Sequence, residues 1–208
     1  MLFNPENSFF SFIGTIGNFI MLNLLFVFCS IPLVTIGASY TALYYTMFKI
    51  TEDDTLQITK DFFHSFKENL KQSTIVHLIL SVVGAFLIFD LAGVLQLFSQ
   101  SIAMKVLFCL FFCLALIYCF ITTYVYPILA KFSNNTKNTF KNAALLSIAN
   151  LPITVVMTTI NIIPLILFFV LPQLFMSIIP FYLFIGFSLT AFINCKLMSK
   201  IFKKLPTA

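Results

Sequence analysis

Three stretches of the chain, residues 7–48, 106–130 and 142–195, contain no charged residue at all. A water-facing surface cannot be built from segments 42, 25 and 54 residues long without charge, because a soluble domain carries about a quarter charged residues. The whole chain has 9%. Crossing the hydrocarbon takes about 20 apolar residues per helix. The strands of an outer-membrane barrel would show segments of about 10 residues with alternating polarity, and these blocks do not alternate. The pattern predicts an all-α, polytopic transmembrane helix bundle forming a single membrane domain over 1–208, in lasting contact with a lipid bilayer.

The lengths of the blocks dictate breaks. One helix over 7–48 would extend about 63 Å, twice the core thickness of about 30 Å. Ser30-Ile31-Pro32 supplies the interruption, since proline lacks a donor and disfavours helix in the residue before it. A first helix is expected near 9–31 and a short second one near 36–49, together an N-terminal region over 9–49. It reads either as a hairpin, which is preferred, or as one kinked span. Gly37/Thr41 and Ala38/Ala42 give the second helix the small-residue spacing that permits close approach. Four further spans are expected over 74–195: 74–97, 106–130, and two within 143–195 that turn at Leu171-Pro172-Gln173. Pro152, Pro164 and Pro180 are expected to kink them. With the first helix, that makes five full spans plus the short one.

Between these lies a polar segment, 50–72. Asp54 and Gln57 are placed to cap a helix. Phe62, Phe63 and Phe66 then recur at helical spacing opposite His64, Lys67 and Glu68. This predicts a separate amphipathic helix lying in the membrane interface, with Phe62 and Phe66 as its anchors.

All twelve basic residues are lysines. Four fall in 49–72, three in 131–141 and four in the tail from residue 196, against Lys105 alone on the other side. The positive-inside rule places those three segments, the basic tail 196–208 included, in the cytoplasm. The hairpin reading puts the N-terminus there as well. Localisation in a plasma membrane follows, with no nucleic-acid partner. The absence of Arg and Trp beside 28 Phe reads as A/T-rich coding, hence a bacterium. With Glu6 as its only charge, the N-terminal segment is not expected to be a cleaved signal.

Several runs resemble the YesL-like family of bacterial integral membrane proteins. They are Asn23-Leu24-Leu25-Phe26, Ile31-Pro32-Leu33-Val34-Thr35-Ile36-Gly37-Ala38 and Ala42-Leu43-Tyr44-Tyr45, followed by the run from Asp61 to Gln72, then Tyr126-Pro127-Ile128-Leu129-Ala130-Lys131-Phe132, Lys141-Asn142-Ala143 and Asn150-Leu151-Pro152. The resemblance covers roughly residues 15–155. It implies an accessory membrane protein linked to carbohydrate uptake, with a carbohydrate transporter as the candidate partner. No catalytic or binding residues come with it. Phe26 and Phe63 stand where Trp is expected in the family, and Ser133 where an acid is common.

Few residues invite chemistry. Asp90 sits inside a span, where a carboxylate must face protein or water; pairing with Lys105 or protonation competes with a role in ion transport. Asn18, Asn23, Asn150 and Asn161 could line a polar path or serve as interhelical hydrogen-bond glue. Cys109 and Cys113 share a helix face but have no nearby His or carboxylate in sequence, and read as apolar filler. No cofactor and no metal are expected. The resulting expectation is a non-enzymatic accessory or regulatory protein; the alternative is a small transporter or channel subunit using Asp90 and the intramembrane asparagines. A weak internal repeat also shows: Tyr44-x-x-x-x-Lys49 matches Tyr126-x-x-x-x-Lys131, and Ser65-Phe66-Lys67 matches Thr139-Phe140-Lys141.

Overall fold

A computed structural model describes residues 8–52, 57–97 and 101–203, with side chains from residue 13 onward. The expected cap residue Asp54 lies outside the described residues. Every regular element among the described residues is helical. In chain order these are α1 (Ser8–Cys29), α2 (Ile36–Thr51), α3 (Ile58–Gln96), α4 (Ile102–Lys131), α5 (Thr136–Ala149), α6 (Leu151–Val170), α7 (Pro172–Phe181) and α8 (Phe187–Phe202). A 3-10 turn at Leu33–Thr35 leads into α2, and a π-helical turn at Tyr182–Gly186 joins α7 to α8 without interrupting the helix.

Four helices are long and apolar enough to cross a membrane: α3, α4, α6 and the continuous rod Pro172–Phe202. Their outward faces are apolar, with Phe86, Ile88, Phe89, Phe169 and Met176 all exposed. That surface fits lipid and would be untenable in water. The helix at the centre is instead the short α2, ten of whose sixteen residues are buried. Its first half can be enclosed closely because the side chains from Gly37 to Ala42 are small or hydroxylated. A Cβ on Gly37 would collide with the backbone oxygen of Ser73 and approach His77 Cβ to 2.7 Å. Thr41 Oγ1 lies 2.8 Å from Ser73 Oγ at the same crossing. Thr41 and Thr46 also donate to the carbonyls of Gly37 and Ala42, one turn back, so neither threonine hydroxyl is stranded.

Ring and hydrogen-bond partners fix the helix directions. Phe19 meets Phe192 and Phe26 meets Phe187, so α1 runs against α8. Tyr44 meets Asn194 and Phe48 meets Phe202, so α2 runs along α8. The first two helices are therefore antiparallel.

Three expectations need correction. The boundary between a polar segment and a span at 72–74 does not exist: α3 is one helix of 39 residues, about 58 Å long. From Ile58 to Val83 it contains no Gly or Pro, so nothing stops the helix propagating from the span into the polar stretch. Phe62 and Phe66 do not anchor a detached interfacial helix either. Phe62 is fully buried in the protein core and Phe66 packs against that core, while Phe63 stays exposed. In the second half, the span expected from residue 143 begins at Leu151. Residues 136–149 form the separate α5, because Asn150-Leu151-Pro152 ends one helix and starts the next, with Pro152 in the first turn of α6 where its missing N–H costs nothing.

Candidate functional site

Where α2, α3, α4, α6 and α8 converge, they leave a half-open cavity of about 320 Å³. Five of the seven tyrosines in the chain line it: Tyr40 and Tyr44 from α2, Tyr118 and Tyr126 from α4, and Tyr182 from the π turn. His77 and Ser81 of α3, Thr122 and Thr123 of α4, and Thr158 and Asn161 of α6 add polar atoms. Among the described residues, no lysine, aspartate or glutamate lines it. It is thus an uncharged chamber with aromatic walls and hydroxyl, amide and imidazole groups.

The close α2–α3 crossing and two further contacts shape it. Gly84 leaves room for Tyr118 to lie across α3, where its hydroxyl donates to Leu80 O at 2.9 Å; a Cβ on Gly84 would stand 2.6 Å from that oxygen. Tyr40 and Tyr126 stack with centroids 5.2 Å apart and planes 23° from parallel, forming one flat wall. The Tyr126 hydroxyl also sits 2.8 Å from His77 Nδ1. Ser81 Oγ is 3.5 Å from His77 Nε2, beyond the reach of a formed proton relay.

Behind the cavity a buried chain of polar groups ties four helices together. Asn194 Nδ2 donates to the Tyr44 hydroxyl at 3.0 Å and to Asn161 Oδ1 at 2.8 Å. Thr123 and Thr158 hydroxyls meet at 3.2 Å, and those of Tyr124 and Thr154 at 2.8 Å. Asn194 is fully buried, and sequence reasoning missed it. A single Asn near the end of an apolar block carries no mark that separates it from the others.

The expected polar positions scatter. Asn161 joins this network. Asn23 does something different: its Nδ2 donates to the carbonyls of Tyr182 (3.0 Å) and Leu183 (2.7 Å), and its Oδ1 accepts from Ser188 N at 2.9 Å. It answers the backbone groups that the π turn leaves unpaired. Asn150 bonds Leu146 O, one turn back at the α5–α6 joint. Asn18 is half-buried on α1, and Asp90 is half-buried on α3. Neither lines the cavity.

A second feature lies where the lysine-rich segments gather, at one end of the bundle. Lys49 of α2 reaches Asp61 of α3 at 2.7 Å, and Lys131 of α4 reaches Glu52 at 2.6 Å. Phe202 of α8 packs on both Phe48 and Phe132. Burial pushes the Asp61 carboxyl up, but the Lys49 hydrogen bond, the Gln57 N–H and nearby positive charge outweigh it and hold its pKa below the usual value. The same bond raises Lys49. Beyond these ties, α3 presents Lys60, Phe63, His64, Lys67, Glu68 and Lys71 outward, with His64 and Glu68 3.5 Å apart.

Residues 19–91 match the family described as "Protein of unknown function, DUF624". The match takes in the second half of α1, all of α2 and most of α3. It is a likeness of that segment. No curated protein and no solved structure matches the chain. Among the described residues, no group of three or more His, Cys, Asp or Glu stands where it could hold a metal ion.

Proposed function

We propose that this is a non-enzymatic component of a bacterial plasma membrane that works by docking a second integral membrane protein on its lysine-rich, cytoplasmic end. The observation that carries the reading is the length of α3. At about 58 Å it exceeds the hydrocarbon core by roughly 28 Å, so the stretch from Ile58 to about residue 73 stands clear of the lipid as a rigid pier. Its inner face is held by Phe62 and the Lys49–Asp61 pair. Its outer face offers Lys60, Lys67 and Lys71 around an exposed Phe63, a basic surface with an aromatic anchor that suits an acidic cytoplasmic segment. The YesL-like resemblance extends the proposal to a partner that imports carbohydrate, with this chain as its accessory. The transporter alternative has less support, because Asn23 and Asn150 spend their amides on backbone groups rather than on a path.

The test is purification from native membrane with a photo-crosslinking residue at Phe63. A single integral membrane partner should be captured, and Lys60→Glu with Lys67→Glu should release it while the chain still inserts. Recovery of the same partner from that double variant would reject the docking face. Cation-coupled flux in proteoliposomes, abolished by Asp90→Asn, would replace the accessory reading with the transporter.

A further inference from the structure

The tyrosine-lined cavity is independent of the pier. We infer that it is a binding site for an uncharged, flat carbonyl compound of the quinone type, taken up from the lipid phase.

The size of the space is the first argument. About 320 Å³ is room for roughly ten waters at their liquid volume of about 30 Å³ each, far more than the bridging waters of an ordinary core. The lining supplies the second. With no Lys, Asp or Glu on its walls among the described residues, a charged guest would be desolvated without a carboxylate or ammonium counter-charge, at a cost of several kcal/mol. A wholly apolar guest would instead leave hydroxyls and an amide facing hydrocarbon. The occupant must be neutral and must hydrogen-bond.

The free valences narrow the chemistry. The Tyr40 hydroxyl has no partner among the described residues, though the residue lines the space. Asn161 Oδ1 is already taken by Asn194, while Asn161 Nδ2 has only a 3.5 Å contact with Thr123. Tyr118, Thr122 and Thr123 have spent their protons on backbone carbonyls and can only accept. The Tyr40 hydroxyl, the Tyr44 hydroxyl, which accepts from Asn194, and Asn161 Nδ2 are the donors left; acceptors on the guest answer them, and carbonyl oxygens are the compact form of these. The stacked Tyr40 and Tyr126 rings form a planar wall that favours a planar guest. Of the five helices around the chamber, α3, α4, α6 and α8 carry exposed apolar faces, so the phase next to its walls is lipid, which suits a guest that dissolves in the bilayer.

The chain has no Trp, which makes tyrosine its sole strong ultraviolet emitter, and five of seven tyrosines line this one space. Menadione, a naphthoquinone without a lipid tail, is the probe, titrated into the full chain in nanodiscs. Tyrosine emission should show a saturable quench with a matching rise in Tm. Tyr40→Phe keeps the ring and removes one donor; affinity should fall roughly three- to tenfold with the fold intact. Thr158→Phe, which fills the space, should abolish the saturable phase, whereas the exposed Thr159→Phe should leave it unchanged. Asn161→Leu serves if Thr158→Phe does not fold, and should weaken binding as Tyr40→Phe does. The inference is overturned if menadione only partitions without saturating, if the saturable phase survives both Thr158→Phe and Tyr40→Phe, or if a water-soluble polyol such as glycerol saturates the site in its place.

Discussion

The α2–α3 unit and the α4–α5–α6 unit carry like residues at several matching places and end in different shapes. Thr41, Tyr44 and Lys49 on α2 stand where Thr123, Tyr126 and Lys131 stand on α4, and both threonines donate to the carbonyl one turn back. Ser65 and Thr139 are both fully buried, and Lys67 and Lys141 are both exposed. Yet α3 runs 39 residues without a break, while its counterpart stops at Ala149 and restarts at Leu151. Val76-His77-Leu78 occupies the place of Asn150-Leu151-Pro152. One proline and its neighbours decide whether the polar stretch becomes a rigid extension of a span or a separate short helix. The ion pairs diverge too. Asp61 answers Lys49 within its own hairpin, but the matching position holds Asn135, which caps α5 by accepting from Asn138 N at 2.9 Å. Lys131 therefore reaches across to Glu52 of the other unit.

This comparison can be broken most forcefully at the closest helix crossing. Gly37→Leu drives a side chain into the Ser73 backbone, and should cost about 3 kcal/mol or prevent folding. At the matching position, Cys119→Leu should cost about 1 kcal/mol, since a side chain is already housed there. Thermal melts in one detergent compare the two, and equal losses would show that the crossings do not differ.

The proline exchange comes next. Leu78→Pro removes a helix bond and meets the carbonyl of Thr74, costing about 3 kcal/mol, and should detach the pier from the span. Pro152→Ala should stay within about 1 kcal/mol of the parent, because its proline occupies a helix start. Protease nicking near residue 78, absent at 152, would report the difference.

The ion pairs should matter less. Lys49 and Asp61 are 28% and 13% exposed, against 33% and 37% for Lys131 and Glu52. Asp61→Asn should cost about 1 kcal/mol and Glu52→Gln less than half of that. The pH dependence has a definite sign. Asp61 is depressed on folding, so its contribution is complete at neutral pH and disappears as the pH falls through the lowered pKa, below about 3.9. Lys49 is raised, so its share is lost only as the pH climbs above about 10.4. A Tm that is flat from pH 7 to 9 in the parent, with the loss below pH 4 blunted in Asp61→Asn, is the expected record.

The smallest effect is Asn135→Asp, which gives the second unit the residue of the first. A carboxylate still caps α5 and adds charge at a helix N-terminus, worth a few tenths of a kcal/mol. A loss above about 1 kcal/mol would mean that the amide does more than cap.

How much of this was legible depended on whether the signal is local. Charge-free blocks, the break at Pro32 and the small-residue face of α2 are patterns within one segment, and they could be read directly. The continuity of α3 was also written locally, in 26 residues without Gly or Pro, but the change from polar to apolar composition drew attention to a boundary that the backbone does not need. The cavity was not legible. Its tyrosines lie between residues 40 and 182, and only the packing directions of five helices bring them together. Asn23 was visible as a costly polar residue in an apolar helix, but its task depends on a π turn about 160 positions away.

That long-range tie has a bearing on how the chain is made. The partners that Asn23 holds in the folded chain come only with the π turn, far later in the sequence than α1. That widened turn exposes two carbonyls and an N–H that α1 alone satisfies among the described residues. The first and last helices thus complete each other, and a chain cut short before residue 182 carries an unmet amide in lipid. One side chain thus makes the comfortable burial of α1 depend on a turn far along the chain.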